Sequence, residues 1–194
     1  MQKPKFDPQR HHRRSIRAQG YDYSQAGAYF VTIVTWQRDC LFGEIVDGEM
    51  VLSDFGIIAD ESWRAIPEHF PNVDLGAHVI MPNHAHGVIG IRADESASND
   101  VVAQHVGATQ WVAPTTTITR PAGPKRDSLG AIIGAYKSAV SYRIHKEYNA
   151  TGIWQRNYYE HIIRDEKDLQ RITDYIDANP MRWNDDEENP RNRV

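Results

Sequence analysis

Residues 73–91 read VDLGAHVIMPNHAHGVIGI, two apolar runs parted by Pro82 and Asn83. Val73 to Met81 and Gly87 to Ile91 have the length and β-branched content of strands, and the Pro-Asn step between them is a turn signal. The stretch therefore predicts a hairpin. His84 and His86 stand at the start of its second strand. Residues two apart on a strand project to one face, so two imidazoles lie side by side while Ala85 points the other way. Imidazole keeps a free nitrogen near neutral pH and is the commonest protein ligand for a divalent ion. A lone His-x-His pair is more often a surface feature. Here it sits between two core strands, and small Ala85 and Gly87 are read as leaving room for a ligand, since glycine lets another backbone approach a strand closely.

Working outward, Tyr29-Phe30-Val31-Thr32-Ile33-Val34-Thr35, within Ala28 to Trp36, reads as a buried strand. Asp47-Gly48 marks a turn before a short strand at Met50 to Leu52. Ser53 or Asp54 then caps a helix over about Phe55 to Ile66, which Pro67 is expected to stop. Downstream, Leu129, Ile132, Ile133, Tyr136, Val140 and Ile144 recur at three and four residues, an amphipathic helix from Asp127 or Ser128 to about Tyr148. Trp154 to Ile163 reads as a strand or extended segment. Asp165 caps a last helix with Leu169, Ile172 and Ile176 as its buried stripe, ended at Pro180. The order β, α, β, β, α, β, α predicts an α+β class: a ferredoxin-like (RRM-like) antiparallel sheet with helices on one face. An appended C-terminal helix carries Tyr175. In that plan the first and third strands are central neighbours.

The chain of 194 residues, with 40% hydrophobic content, fits one main domain. Residues 1–24 are expected to be a basic N-terminal arm, 25–183 the folded domain with a flexible insertion at 93–126, and 184–194 an acidic disordered tail. No apolar run approaches the roughly 18 residues needed to span a bilayer, and no apolar stretch follows the basic N-terminus, so a cytoplasmic location is expected. Cys40 is the single cysteine, which rules out an intrachain disulfide and a cysteine zinc cluster. A metal site must then draw on His, carboxylate or amide ligands. The net charge of −4 argues against nonspecific coating of nucleic acid. The distribution is uneven: Lys3, Lys5, Arg10, Arg13, Arg14 and Arg17 crowd the start, and Asp185, Asp186, Glu187 and Glu188 the end. For both segments a solvated tail is an open alternative, and for the first so is a phosphate-contacting arm.

Tyr175 lies beside the apolar stripe of the last helix, one turn before Asn179, so the two share a face. A phenol with a pKa near roughly 10 needs an activated phosphate or a proton acceptor before it can act as a nucleophile. A packing role competes with that reading, and Tyr136, Tyr158 and Tyr159 are rival candidates.

Taken together, several motifs resemble those of the REP-associated tyrosine transposases, single-tyrosine HUH nucleases. Arg13-Arg14-Ser15-Ile16-Arg17, Tyr21-Asp22-Tyr23-Ser24 and Tyr29-Phe30-Val31-Thr32 resemble the family's opening. Met81-Pro82-Asn83-His84-Ala85-His86-Gly87 resembles its His-hydrophobe-His strand. Residues 154–164 (WQRNYYEHIIR) and 174–180 (DYIDANP) resemble its closing segments. The resemblance implies that His84 and His86 are metal ligands, that Tyr175 attacks, and that Asn179 completes the metal site. It selects Tyr175 over Tyr158 and Tyr159. It further implies Mg²⁺ or Mn²⁺, a 5′-phosphotyrosine intermediate, and a hairpin DNA with a single-stranded flank as substrate. Two imidazoles and an amide suit Mn²⁺ better than Mg²⁺.

Phosphates are expected to meet Arg13, Arg14, Arg17, Arg38, Lys137 and Arg156. Tyr21, Tyr23, Trp36, Tyr158 and Tyr159 offer stacking surfaces for bases. A histidine-triad hydrolase is disfavoured, because its third alternating histidine is Val88 here. The alternative of another class is a noncatalytic, domesticated hairpin DNA-binding protein. Monomer and homodimer are both open, with the tyrosine helix acting in cis or in trans, and no membrane partner is expected.

Overall fold

The computed structural model describes residues 22–93 and 125–192. Arg13, Arg14, Arg17 and Tyr21, with nearly all of the arm and of the insertion expected at 93–126, lie outside the described residues. The elements are β1 (Gly27–Val34), β2 (Gly43–Val46), β3 (Glu49–Leu52), α1 (Asp54–Arg64), α2 (Ile66–His69), β4 (Val73–Met81), β5 (His84–Ile91), α3 (Leu129–Tyr148), β6 (Tyr159–Ile163) and α4 (Glu166–Ala178).

Four strands form one sheet in the order β4-β5-β1-β6, each neighbour antiparallel, and β2 and β3 make a separate hairpin. The first and third strands of the predicted plan, β1 and β5, are central neighbours as expected. The predicted caps form: Ser53 Oγ accepts from Gly56 N, Ser128 Oγ from Ala131 N and Asp165 Oδ1 from Asp168 N. Among the described residues no helix is long and apolar enough to cross a membrane.

Strand alternation gives the sheet two unlike faces. Tyr29, Val31 and Ile33 of β1 and Ala85, Ile89 and Ile91 of β5 pack with α1 and α3 into the main core, around Trp63, Ile132, Ile133 and Tyr136. The opposite face carries a much smaller cluster, in which Val88 of β5 meets Ile172 and Ile176 of α4, with Phe30, Val79 and Ile163 against it. The histidines of β5 share that second face with Val88.

Four expectations are corrected. Pro67 does not simply stop a helix: α1 ends at Arg64, and Pro67 sits in the first turn of α2, where its missing N–H has no partner to lose. Leu169 is 37% exposed, so the buried stripe of α4 is Ile172 and Ile176 alone. Tyr158 is buried in the main core and offers no stacking surface. Ala85 and Gly87 leave no room for a ligand, because they face α1, and a Cβ on Gly87 would come within 2.2 Å of Trp63 Cζ2. The glycine makes space for a tryptophan of its own chain.

Gly87→Ala should therefore cost about 1–3 kcal/mol, the usual range for overpacking a core. Thermal melting will show a lowered midpoint, and an unchanged midpoint would mean that Trp63 is free to shift.

Candidate active site

His84 and His86 are 0% and 3% exposed, well below what two histidines at a strand start lead one to expect. Antiparallel pairing sets His84 opposite Val34 and Met81, and His86 opposite Thr32 and Val79, with the two rings 4.4 Å apart between centroids. The tautomer of His84 follows from its partners. Asn83 Nδ2 donates to the carbonyl oxygens of Arg38 (3.0 Å) and Glu188 (2.7 Å), which turns Asn83 Oδ1 toward His84 Nδ1 at 2.9 Å. An amide oxygen only accepts, so His84 Nδ1 carries the proton and Nε2 keeps its lone pair. Among the described residues that buried Nε2 has no hydrogen-bond partner, and Asp186 Oδ2 is 3.9 Å away. His86 Nδ1 lies 2.9 Å from Thr32 Oγ1, and its Nε2 lies 3.3 Å from the Tyr175 hydroxyl. Both partners of His86 are hydroxyls, which donate or accept, so either ring nitrogen of His86 can carry the proton.

Burial drives both imidazoles toward the neutral form. It takes His84 well below its usual range, aided by His86 and Arg38, and lowers His86 to about 3. Tyr175 moves the other way: burial first, then the charge of Asp186, raise its pKa, while the Asn179 side chain opposes them. The phenol is 41% exposed and meets β5 of its own chain. Phe30 stacks on His86 with centroids 5.3 Å apart and meets Tyr175 edge-on at 6.1 Å.

The C-terminal segment, expected as a disordered tail from 184, is ordered through residue 192. Turns of 3₁₀ helix form at Pro180–Asp185 and Pro190–Asn192. Asp186 Oδ1 accepts from Glu188 N, Asn189 Nδ2 donates to Trp183 O, and Arg38 pairs with Glu188. This fold-back brings in a group that the sequence reading missed. One ligand atom each from His84, His86 and Asp186 lie within 4.8 Å of one another. Burial, the largest influence, raises the Asp186 pKa, and the Asn179 side chain pulls it down. Asn179 caps α4 and is 2% exposed, with its Oδ1 unpartnered. The available signal was chemical: an acidic run just past the tyrosine helix holds the hard oxygens that two imidazoles lack.

Unpartnered buried atoms at His84 Nε2 and Asn179 Oδ1, beside a carboxylate, fit a divalent cation. Two neutral imidazoles donate lone pairs, and oxygen donors complete the set.

The expected phosphate contacts scatter. Lys137 donates its ammonium to the carbonyls of Gln155 and Asn157, and burial lowers its pKa to about 8, so it pins a loop to α3. Arg38 is engaged by Glu188 at the rim of the site. Arg156 is exposed, and Tyr159, 47% exposed, lines the cavity that also touches His86 and Tyr175. Tyr23 packs toward Tyr29, and Trp36 is exposed.

No family model matches the chain. The chain is 39% identical over 183 residues to an uncharacterized protein of Haemophilus influenzae, across 94% of this chain and 96% of that one. A protein of the same organism named "Putative REP-associated tyrosine transposase" is 27% identical over 161 residues, across 83% of this chain and 74% of its own length. A solved structure of a REP-associated tyrosine transposase bound to a REP hairpin shares the fold, with a TM-score of 0.54 and 17% identity over 86% of this chain and 73% of that one. The chain is thus similar in sequence to a protein named as a REP-associated tyrosine transposase and shares its fold with another.

Histidines held neutral by burial make the fold acid-sensitive. Below about pH 6.5 the unfolded chain takes up protons that folded His84 and His86 refuse. Stability is therefore present above that pH and lost as pH falls, at about 1.4 kcal/mol per pH unit for each histidine. Chemical denaturation between pH 6.5 and 5, with chelator present, should show this slope, and His86→Gln should reduce it. Equal slopes in the two proteins would contradict the burial argument.

Proposed function

We propose that the protein nicks and rejoins single-stranded DNA beside a hairpin, through a covalent link between Tyr175 and a 5′ phosphate. The observation that carries this reading is the Tyr175 hydroxyl, 3.3 Å from His86 Nε2 at the edge of a buried His-His-Asp donor set. The names of its relatives support it: one is named as a tyrosine transposase and another is bound to a REP hairpin.

His84 and His86 would hold a divalent ion, with Asp186 and Asn179 supplying oxygen. Such an ion supplies Lewis-acid polarisation of a nonbridging phosphate oxygen. A donor set mixing imidazole with amide and carboxylate oxygens suits Mn²⁺ better than Mg²⁺, which prefers oxygens alone. Asn83 keeps the proton on His84 Nδ1, so that its Nε2 faces the site as a lone pair, and the Thr32 hydroxyl holds the His86 ring in place. Phe30 packs on both His86 and Tyr175 and limits how far the phenol can swing.

Tyr175 attacks phosphorus in line. A bond forms between phosphorus and the phenol oxygen as the bond from phosphorus to the 3′ oxygen breaks, and the phenol proton ends on the departing 3′ oxygen. The phosphotyrosine conserves the free energy of the broken linkage, so rejoining to a new 3′-hydroxyl consumes no ATP. Tyr175 reaches His86 within one chain, which supports action of the tyrosine helix in cis.

Incubated with Mn²⁺ and a hairpin carrying single-stranded flanks, the wild-type protein should form a covalent DNA adduct, visible as a shifted band on a denaturing gel. Tyr175→Phe should form none while still binding DNA; an adduct in that variant would sink the assignment. A wild-type protein that binds the hairpin without any adduct would favour the noncatalytic alternative. His84→Ala and His86→Ala should lose cleavage and Mn²⁺ binding together.

Calorimetric titration with Mn²⁺ separates the two oxygen donors. Asp186→Asn should weaken binding at least about tenfold, within the range seen when groups supporting a metal site are removed. Asn179→Ala should cost less, because it deletes no charge. The reverse order would make Asn179 the principal third ligand.

A further inference from the structure

Two cavities meet at Tyr175, where Thr32, His86 and Arg182 line both. The larger, about 810 Å³, runs along α4 past Phe30 and Ile172 to Arg171, Lys167 and His161. The smaller, about 490 Å³, opens toward Asn179 and the C-terminal segment. Their charges differ in sign. In the larger cavity Lys167, Arg171 and Arg182 stand against Asp174 alone. In the smaller one Asp185, Asp186, Glu187 and Glu188 outnumber Arg38 and Arg182. A polyanion is favoured in the first and repelled from the second, and a cation the reverse.

We propose that the larger cavity is the seat of the DNA's single-stranded flank, with bases against Phe30 and phosphates against Lys167, Arg171 and Arg182. The inference rests on the nicking reading above and names which part of the substrate each wall takes. Shape supports a single strand over a duplex. The volume lies inside the roughly 300–1,000 Å³ range of sites that enclose whole small molecules, more than one phosphate needs. Phe30 offers partly exposed aromatic surface in the wall of the cavity, which an unstacked base can use and a duplex, with its bases turned inward, cannot. Phe30 is also packed against His86 and Tyr175, so a base resting there stands next to the attacking oxygen.

The neighbouring carboxylate does not cancel this field. Asp168 is already engaged by His161 Nε2 at 2.7 Å and by Arg171 Nη2 at 2.6 Å. A guanidinium has five N–H donors, so Arg171 keeps others for a phosphate. Lys167 lies exposed in the first turn of α4. Removing either charge leaves the buried Ile172 and Ile176 contacts of the helix untouched.

The test compares binding of a bare hairpin with that of the same hairpin carrying a single-stranded flank, by fluorescence anisotropy at several salt concentrations. The wild-type protein should show the steeper salt dependence with the flanked hairpin. In Lys167→Gln with Arg171→Gln, the slope of log affinity against log salt should fall by about 1.4 for the flanked hairpin, two contacts at about 0.7 each for single strands. It should not change for the bare one. An equal loss with both hairpins, or no loss with either, overturns the inference. A flank carrying 5-iodouracil should photocrosslink to Phe30 or to α4, and crosslinks confined to the loop at 155–157 would also overturn it. The two readings fail separately. An adduct at Tyr175 with no flank effect removes this inference alone, and a flank effect with no adduct removes the catalytic reading alone.

Discussion

The antiparallel register between β1 and β5 is the constraint from which the site follows. A strand has a period of two, so slipping β5 by one residue would turn His84 and His86 into the core beneath α1 and α3 and bring Ala85 and Gly87 to the site. Trp63 helps to prevent the slip. Its ring fills the space where a Cβ of Gly87 would lie, and no side chain that belongs on the other face can replace that glycine. A core contact on one side of the sheet thus dictates which side chains face the other. Asymmetric covering does the rest: α1 and α3 seal the first face with a large core, whereas α4 meets the second through a small cluster around Val88, Ile172 and Ile176. Cavities remain on the second face because so little apolar surface fills it.

What the sequence made legible was what depends on near neighbours. The hairpin, the caps at Ser53, Ser128 and Asp165, and the side-by-side histidines are each written within a few residues, in the period of a strand or the first turn of a helix. Contacts between distant segments were not legible. The acidic end of the chain reads as a solvated tail because nothing nearby pairs with it; its partners are Arg38 and Asn83, far upstream. Ala85 and Gly87 carry the right period and the wrong occupant, since no local pattern says that Trp63 will claim the space. Tyr158 and Tyr159 must face opposite ways on one segment, yet only pairing with β1, which sets Tyr159 opposite Thr32, tells which one is exposed.

Charge is sorted at the site more finely than the net charge of −4 suggests. Two imidazoles are held neutral by burial, a carboxylate sits against them, and cations line the groove on the far side of Tyr175. Neutral ligands matter here. Protonated imidazoles would repel a metal ion and attract the carboxylates, closing the site on itself; unprotonated ones leave Asp186 short of positive charge. The raised pKa of Asp186 and the raised pKa of Tyr175 then share causes. Both groups are withdrawn from water, and each sits near negative charge.

The position of the phenol depends on how α4 is held. Apolar burial under this helix is slight, so its stability rests on the small cluster around Ile172 and Ile176 and on polar ties at either end. At the start, Asp168 bonds His161 of β6 and Arg171 within the helix. Past the end, Glu188 is held through Arg38 and through the Asn83 amide that orients His84. The residue that sets the His84 tautomer therefore also anchors the segment that carries Asp186. A shift of that segment disturbs a buried hydrogen-bond network, and the donor set and the tyrosine helix move together rather than one at a time.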